Sequence, residues 1–593
     1  MNDPSPVSSP GLPDQPPEGS LDSWKEIAAY VKRDVSTVQR WEKREGMPIH
    51  RHLHDKRGSV YAFGSELDAW LQGRKLRLEV EDEAAETPAV AEGDQGTARV
   101  PHLRTWLVLG GVTVLALLAV VYAVTRKRAE NINPKINSLA VLPLKNLSGD
   151  PTQEYLADGM TEALIGRLTK IHDLRVISRT SVMRFKDTQL SVPEIARTLH
   201  VDALVEGSVI RDGSRIRVTA QLIRGATDGH FWSESYDREL RDVLALESDV
   251  AQSIAEKVEV TVTGKEHERL TARRAISPEV YENYLKGSFT LGKSNGRDDV
   301  EKSIGYFEEA IKRDPTFAPA SVGLANAYFE LSTVFIGDPP DEMRSKAMAL
   351  ARRAVELDPE STEAHVLLAE MLRIQWKWAE SETEFRRALE LNPNDAAAHV
   401  EFAKWLLSEG RTGEALEWAE RGRELDPLAV SGFDLAWILF NARHYDEAIH
   451  ELRSELELRP DDAGALWYLG FALNANHQPK EAIPVLEKAA AVSNRSPGVI
   501  GVLIRAYAQA GRRADALRLL GELKRRKQAG YVPAAAFVNA YLGLGDNDQV
   551  FAWLERAYQE KSYMLLFVKV HPYFDPVRDD PRFVELVHRI GLD

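Results

Sequence analysis

The chain has 593 residues, 44% of them hydrophobic and 28% charged, with a formal net charge of −15. That length allows roughly four domains of ordinary globular composition, and the acidic balance argues against wholesale nucleic-acid affinity while permitting a locally basic module. Cysteine is absent, which excludes disulfides, thiolate-held zinc, iron–sulfur clusters and cysteine nucleophiles. Residues 1–20, MNDPSPVSSPGLPDQPPEGS, hold six prolines and almost nothing apolar. They bury too little surface to offset chain entropy and are predicted to be a disordered tail. Order is expected from Leu21. Ser23-Trp24-Lys25-Glu26 has the form of a capping box, opening a helix with Trp24, Ile27, Ala28 and Val31 on one face. Lys32-Arg33-Asp34 makes a turn, and a second helix runs from about Ser36 to Arg44, burying Val35, Val38 and Trp41. Gly46 and Pro48 stop it. Two strand-like runs, Ile49–Leu53 and Val60–Phe63, flank His54-Asp55-Lys56-Arg57-Gly58-Ser59, and Ser65 caps a last helix with Leu67, Trp70 and Leu71.

Helix, tight turn, helix and two-stranded wing together resemble the MerR/excisionase-type winged helix-turn-helix, over residues 21–75. The resemblance is carried by Trp24-Lys25-Glu26-Ile27-Ala28, by Ser36-Thr37-Val38-Gln39-Arg40-Trp41-Glu42, and by the wing His52 to Val60. It implies that the second helix enters the major groove of DNA and that the wing touches backbone. Ser36, Thr37, Gln39, Arg40 and Lys43 would then face DNA, and Arg51, His52, Lys56 and Arg57 would lie against phosphate. Gln39 and Arg40 are the expected base readers, since amide–adenine and guanidinium–guanine pairings are bidentate. Between Trp24 and Arg57 nine Lys/Arg stand against five Asp/Glu, a local balance of +4. A wing that binds protein, or a basic solvated face, is the blander alternative. His50, His52 and His54 would share a strand face, but without a carboxylate or cysteine at ligand spacing they predict no metal site.

Residues 76–104 begin with the acidic run Glu79-Val80-Glu81-Asp82-Glu83 and continue rich in Ala, Glu, Thr and Gly, predicting a flexible linker. Its root-mean-square span would be about 30 Å. Thr105 to Thr125, TWLVLGGVTVLALLAVVYAVT, carries no charge and lies between Arg104 and Arg126-Lys127-Arg128. An uncharged run near 20 residues matches the hydrocarbon thickness of a bilayer, and the expectation is one transmembrane helix. Gly110-Gly111 inside it suits close helix–helix approach. Cations after the span outnumber Arg99 and Arg104 before it, which by itself favours a cytoplasmic C-terminal side. A DNA reader must be cytoplasmic, however, and the charge rule concerns short loops. The expectation is therefore an inner-membrane protein with its N-terminus cytoplasmic and its C-terminal domains periplasmic.

Residues 138–262 alternate strand and helix, predicting an α/β domain with a mixed sheet. Strands are expected at Ser138–Pro143, Leu174–Ser178 and His230–Tyr236, with a hairpin of Ala203–Arg211 and Arg215–Arg224 across Asp212-Gly213-Ser214. Helices are expected at Gln153–Thr169, Val192–Leu199 and Asp242–Val258. The runs AVLPLKNLSGD, YLADGMTEALIGRL, VISRTSV and ALVEGSVIRDGSRIRVTAQLI, within residues 140–236, resemble the TolB amino-terminal-like domain. That resemblance implies a fold and no ligand. Asp158, Gly159 and Glu162 form a conceivable carboxylate group, but acidic residues near a helix start more simply complement its dipole.

From residue 277 to 593 the chain repeats. Pro315, Pro359, Pro393, Pro427, Pro460, Pro497 and Pro533 recur, most of them 33–37 residues apart. Small residues fall where paired helices would cross: Ala369 with Ala388, Ala403 with Ala415, Ala436 with Ala448, Gly470 with Ala482. This is the tetratricopeptide pattern, an all-α solenoid whose concave face binds a peptide or a partner protein. Trp376, Trp378, Trp405, Trp418, Trp437 and Trp467 are expected to be mainly core, any of them able to line the groove.

Phosphate loops, HExxH, GxSxG, kinase signatures and Rossmann glycines are absent from the sequence, so no catalytic residue, cofactor or metal is expected. The arrangement resembles single-span regulators of the CadC/ToxR style, with a different DNA reader. It implies a transcriptional regulator whose periplasmic region senses a ligand or partner and acts, as a homodimer, on DNA. The alternative is an envelope scaffold whose winged helix binds protein.

Overall fold

The computed structural model describes residues 20–21, 23–45, 47–51, 60–63, 66–67, 70, 135–260, 262–271, 276–294, 296–332, 340–428 and 432–592. The expected linker 76–104 and apolar span 105–125 lie outside the described residues, as does the tail before Ser20. Among the described residues no helix is long and apolar enough to cross a membrane. The chain divides into two compact units, residues 1–121 and 122–593.

In the first unit, strand β1 (Ser20–Leu21) precedes α1 (Trp24–Tyr30) and α2 (Val35–Glu45), followed by β2 (His50–Arg51) and β3 (Val60–Phe63). The strands form an antiparallel sheet in the order β1-β3-β2. Strand β1 pairs Ser20 with Phe63 and Leu21 with Ala62, so order starts one residue before the sequence suggests. Ser23 caps α1 as the sequence suggests: the Glu26 amide donates to Ser23 Oγ at 3.3 Å. The turn between the helices bends at Lys32, whose φ of 51° is left-handed. Ile27, Ala28, Val38, Trp41, Met47, Val60, Ala62 and Leu67 form the core, and Trp70 packs beside Trp41 with ring centroids 5.5 Å apart.

The second unit opens with an α/β domain. Its strands are β4 (Ser138–Val141), β5 (Lys145–Asn146), β6 (Arg175–Val176), β7 (Ala203–Asp212), β8 (Arg215–Arg224) and β9 (Gly229–Glu239). The sheet runs β6-β4-β7-β8-β9, with β5 also on β7. Strand β4 is parallel to β6 and β7, while β7, β8 and β9 form an antiparallel meander. The hairpin turns on Gly213, whose φ of 57° a side chain would resist. Helices α3 (Glu154–Leu168), α4 (Arg179–Val182), α5 (Val192–Leu199), α6 (Val243–Lys257) and α7 (Gly264–Thr271) complete the domain. β5, α4 and α7 were not expected. β5 and α4 are too short to establish a period, and α7 is mostly polar.

The remainder is a solenoid of helix pairs. They are α8 (Pro278–Gly292) with α9 (Arg297–Arg313), α10 (Ala318–Leu331) with α11 (Pro340–Leu357), and α12 (Thr362–Ile374) with α13 (Trp378–Leu391). Next come α14 (Ala396–Ser408) with α15 (Thr412–Leu425) and α16 (Gly432–Asn441) with α17 (Tyr445–Leu458). The last are α18 (Ala463–Ala475) with α19 (Pro479–Val492), α20 (Pro497–Gln509) with α21 (Arg513–Ala529), and α22 (Ala534–Leu544) with α23 (Asn547–Gln559). Left-handed residues at Trp376, Gly410, Arg443, His477, Gly511 and Gly545 mark the turn inside successive pairs, 33 or 34 positions apart. Backbone bonds such as Arg411 N–H to Leu406 O at 2.9 Å close these turns in the manner of a helix C-cap. The small residues expected at crossings are all buried. At Gly470 a Cβ would stand 2.2 Å from Leu486 Cδ2.

Two features depart from the expected repeat region. After α23 the chain forms 3-10 turns at Tyr563–Phe567 and Pro572–Val577 before α24 (Pro581–Ile590), so residues 562–577 belong to no helix pair. The α/β domain is also fastened to the solenoid. Asp426 accepts from the Ser178 amide at 2.7 Å and from Ser181 Oγ at 2.6 Å. Arg175 donates to Leu425 O at 2.8 Å, and Asn394 Nδ2 to His172 O at 2.7 Å.

Candidate functional site

Two regions carry functional geometry, one in each unit. In the first, burial of Val38 and Trp41 sets the phase of α2. A 3.6-residue period then puts backbone positions 36, 40 and 43 opposite that stripe, with 37 and 39 on its flanks. Asp34 caps the helix. Its carboxylate accepts from the Thr37 amide and from Thr37 Oγ1, both at 2.8 Å, so the Thr37 hydroxyl is committed to the cap. Gln39 is half-buried. Ser36, Arg40, Lys43 and Arg51 lie on described backbone, in α2 and β2, while His52, Lys56 and Arg57 lie outside the described residues. His50 of the proposed histidine face pairs with Glu66 at 2.7 Å. Among the described residues no cluster of ligands could hold a metal ion.

In the second unit the inner face of the solenoid, built mostly from the first helix of each pair with Arg344 of α11 added, receives residues 561–577. Arg344 donates to Lys561 O at 2.7 Å, Arg443 to Val570 O at 2.9 Å, and Tyr573 to Phe471 O at 3.1 Å. The Arg505 guanidinium lies 3.8 Å from the centre of the Tyr573 ring, a cation–π contact. His571 is buried among aromatic rings, and burial, followed by the charges of Arg505, Arg578 and Arg443, brings its pKa down to about 3. The groove expected to take a peptide is therefore partly filled by the chain itself.

What remains open there is a cavity of about 450 Å³. Trp437, Trp467, Tyr468, Phe471 and Phe567 supply its aromatic wall. Trp437 meets Tyr468 edge-on with ring centroids 4.8 Å apart, and Phe567 at 5.3 Å. Of the six tryptophans that could line the groove, these two do. Trp376 packs on Tyr558, Trp378 donates to Ile590 O at 2.9 Å, and Trp418 packs on Phe402. Lys404 bridges Glu401 at 2.7 Å and Asp434 at 2.6 Å. Arg373, fully buried, reaches Glu401 at 3.6 Å and Glu370 at only 3.7 Å. Burial and then the charge of Glu401 push the Glu370 carboxyl up, whereas Lys404 and Arg373 hold Glu401 low against its own burial. Sequence reading missed these charged residues, because a lone charge within a repeat helix reads as a solvated position, whereas here Arg373 and Lys404 are buried.

The carboxylates near the start of α3 have structural work. Asp158, 1% exposed, pairs with Lys186 at 2.5 Å, and Glu162 with Arg179 at 3.4 Å. Gly159 lets Leu285 of α8 pack where a Cβ would stand 2.4 Å from its Cδ2.

Residues 135–256 match the family model of the HilA/YgeH-like transcriptional regulator, second domain. Residues 375–430, 433–497 and 473–536 match models of the tetratricopeptide repeat. The chain thus combines a transcriptional-regulator-like domain with a tetratricopeptide solenoid. A candidate adenylate cyclase, number 3, of Rhizobium meliloti (strain 1021) is 34% identical over 252 residues, which is 42% of this chain and 42% of that protein. This chain therefore spans under half of that relative's length. Among solved structures, the Cut9–Hcn1 hetero-tetramer of the APC/C aligns at 19% identity over 39% of this chain and 43% of that one, with a TM-score of 0.31. PilW, a type IV pilus biogenesis factor, aligns at 15% identity over 35% and 95%, with a TM-score of 0.29.

Proposed function

We propose that this protein is a membrane-anchored transcriptional regulator without enzymatic activity. Residues 21–75 act as a MerR/excisionase-like winged helix-turn-helix on DNA, and residues 105–125 cross the inner membrane. The TolB-like domain and solenoid sense a ligand or partner protein in the periplasm. The observation that carries this reading is the match of residues 135–256 to a transcriptional-regulator domain, in a chain whose N-terminal unit presents a capped helix pair and a strand wing. The local balance of +4 between Trp24 and Arg57 supports DNA as the partner of that unit.

In this mechanism Arg40 and Gln39 read base edges, and Ser36, Lys43, Arg51, His52, Lys56 and Arg57 hold backbone. Thr37 contributes by keeping the helix start capped. Two chains associated through the sensor region place two readers on half-sites about 34 Å apart, and ligand binding alters that spacing. The test is chromatin capture of the full chain in its own host, alongside Arg40→Ala. Discrete enriched sites that vanish in the variant are expected; enrichment without discrete sites, or sites indifferent to Arg40→Ala, overturns the reading. A reporter fused to the C-terminus tests sidedness, with a periplasm-active reporter expected to function and a cytoplasmic one to fail.

A further inference from the structure

The cavity on the inner face has the build of a small-molecule site, and nothing in the regulator reading assigns its ligand. Its volume of about 450 Å³ falls in the range of ligand pockets, roughly 300–1,000 Å³. Residues Ser562 to His571 form one side of it, which narrows the space left for an extended peptide in this part of the groove. Three lining side chains are at least nine-tenths buried and hold polar atoms without a hydrogen-bond partner: Arg344 Nε, Trp437 Nε1 and Asn539 Oδ1. Buried polar atoms in that condition cost free energy until something meets them.

Charge decides the sign of the ligand. The lining carboxyls are Glu330, Glu370, Glu401, Asp434 and Glu560. The lining itself offers two cations: Arg344, which donates to backbone carbonyls, and Lys404, which bridges Glu401 and Asp434. Arg373 and Arg556 reach Glu370, Glu401 and Glu560 from behind it, the last pair at 3.0 Å, so negative charge prevails on the wall. Among the described residues no ion pair engages Glu330, and Glu370 has only a share of Arg373, at 3.7 Å against 3.6 Å for Glu401. Of the two, Glu370 stands beside a second carboxyl, Glu401, whose repulsion a bound cation would relieve. We infer that the cavity binds a small organic ammonium ion, its charged end against Glu370 and its apolar body against Trp437, Trp467 and Tyr468. Aromatic faces attract a desolvated cation through their quadrupoles, and a carboxylate beside them fixes its position. An acceptor on the same ligand would meet the Arg344 and Trp437 donors. This inference names the ligand class of the sensor region proposed above and rests on that reading only for its biological use.

The experiment titrates the full chain, without DNA, with phenethylammonium while following tryptophan emission and thermal melting. Saturable quenching and a raised melting temperature are expected, with no response to the isosteric anion 3-phenylpropionate. Glu370→Gln should bind roughly tenfold more weakly, the equivalent of losing one charge-assisted contact. A Glu370→Gln chain that melts like the parent and binds as tightly overturns the inference, and so does preference for the anion or absence of saturable quenching. Should Glu370→Gln fail to fold, Tyr468→Leu decides, with weakened binding expected and unchanged binding fatal. Failure here with intact chromatin enrichment sinks the cavity alone; binding here without enrichment sinks the regulator alone.

Discussion

At position 470 one methyl group is too many. A Cβ there would stand 2.2 Å from Leu486 Cδ2, between α18 and α19, where both helices are held by the packing of their neighbours. Gly470→Ala is expected to lower stability by about 1–3 kcal/mol through overpacking. Gly521, inside α21, has open space around it except for Arg525 Nη1 at 3.5 Å. There the same change should stabilise by about 0.5–1 kcal/mol, because alanine restricts the unfolded chain and favours helix. Denaturant unfolding of the two variants checks both signs. His571 supplies a second residue-scale expectation. Buried and held to about 3, it is neutral where an exposed histidine would take up a proton. Docking of residues 562–577 is therefore fully stable above pH about 6.5 and weakens as pH falls toward 3, since only the undocked segment can bind the proton. Hydrogen exchange of these amides at pH 7 and pH 5 should show faster opening at the lower value. His571→Phe should remove that dependence.

The elements differ in what secures them. Helix α2 depends on its first turn, where Asp34 satisfies the Thr37 amide and hydroxyl. Asp34→Ala should destabilise the N-terminal unit by about 1 kcal/mol, seen as faster hydrogen exchange across α2 and a lower unfolding midpoint. Helix α2 would thus lose definition with no basic residue changed. The contact between α4 and the solenoid rests on one carboxylate, Asp426, accepting from the Ser178 amide and Ser181 Oγ. Asp426→Ala leaves those donors without it and should cost about 1.5–3 kcal/mol. Residues 175–185 should become the first site of proteolysis, while the melting of the distal repeats stays as it was. The recurring left-handed residue inside each pair, from Trp376 to Gly545, is what lets the helices fold back at equal intervals. Phased prolines signalled the same period from the other end of each repeat.

At the scale of the second unit, the α/β domain and solenoid lie within one compact body, so a ligand of the kind proposed for the inner cavity would have a physical route to the α/β domain. That route runs from α16 and its neighbours through Leu425 and Asp426 to β6 and α4. Much of this architecture could be read before any coordinates. Apolar periods of 2 and 3.6 and a repeat near 34 are local properties, and they located the strands β4, β7 and β8, the helices α3, α5 and α6, and the crossings at Ala369 and Gly470. The short β5 and α4 had no period to show. The inner-face cavity was out of reach for a different reason. Its lining groups Glu370, Lys404, Trp437 and Tyr468 come from four repeats, and one side comes from residues 562–571. The amino-acid order by itself determined which segments are helix, strand and repeat, because backbone hydrogen bonding and amphipathic burial act over a few residues at a time. Only the tertiary structure decided that residues 561–577 would lie on the inner face and that Glu370 and Glu401 would share one arginine. That outcome depends on shape and charge meeting across nearly two hundred residues of separation, as between Arg373 and Tyr563, where no local pattern records it.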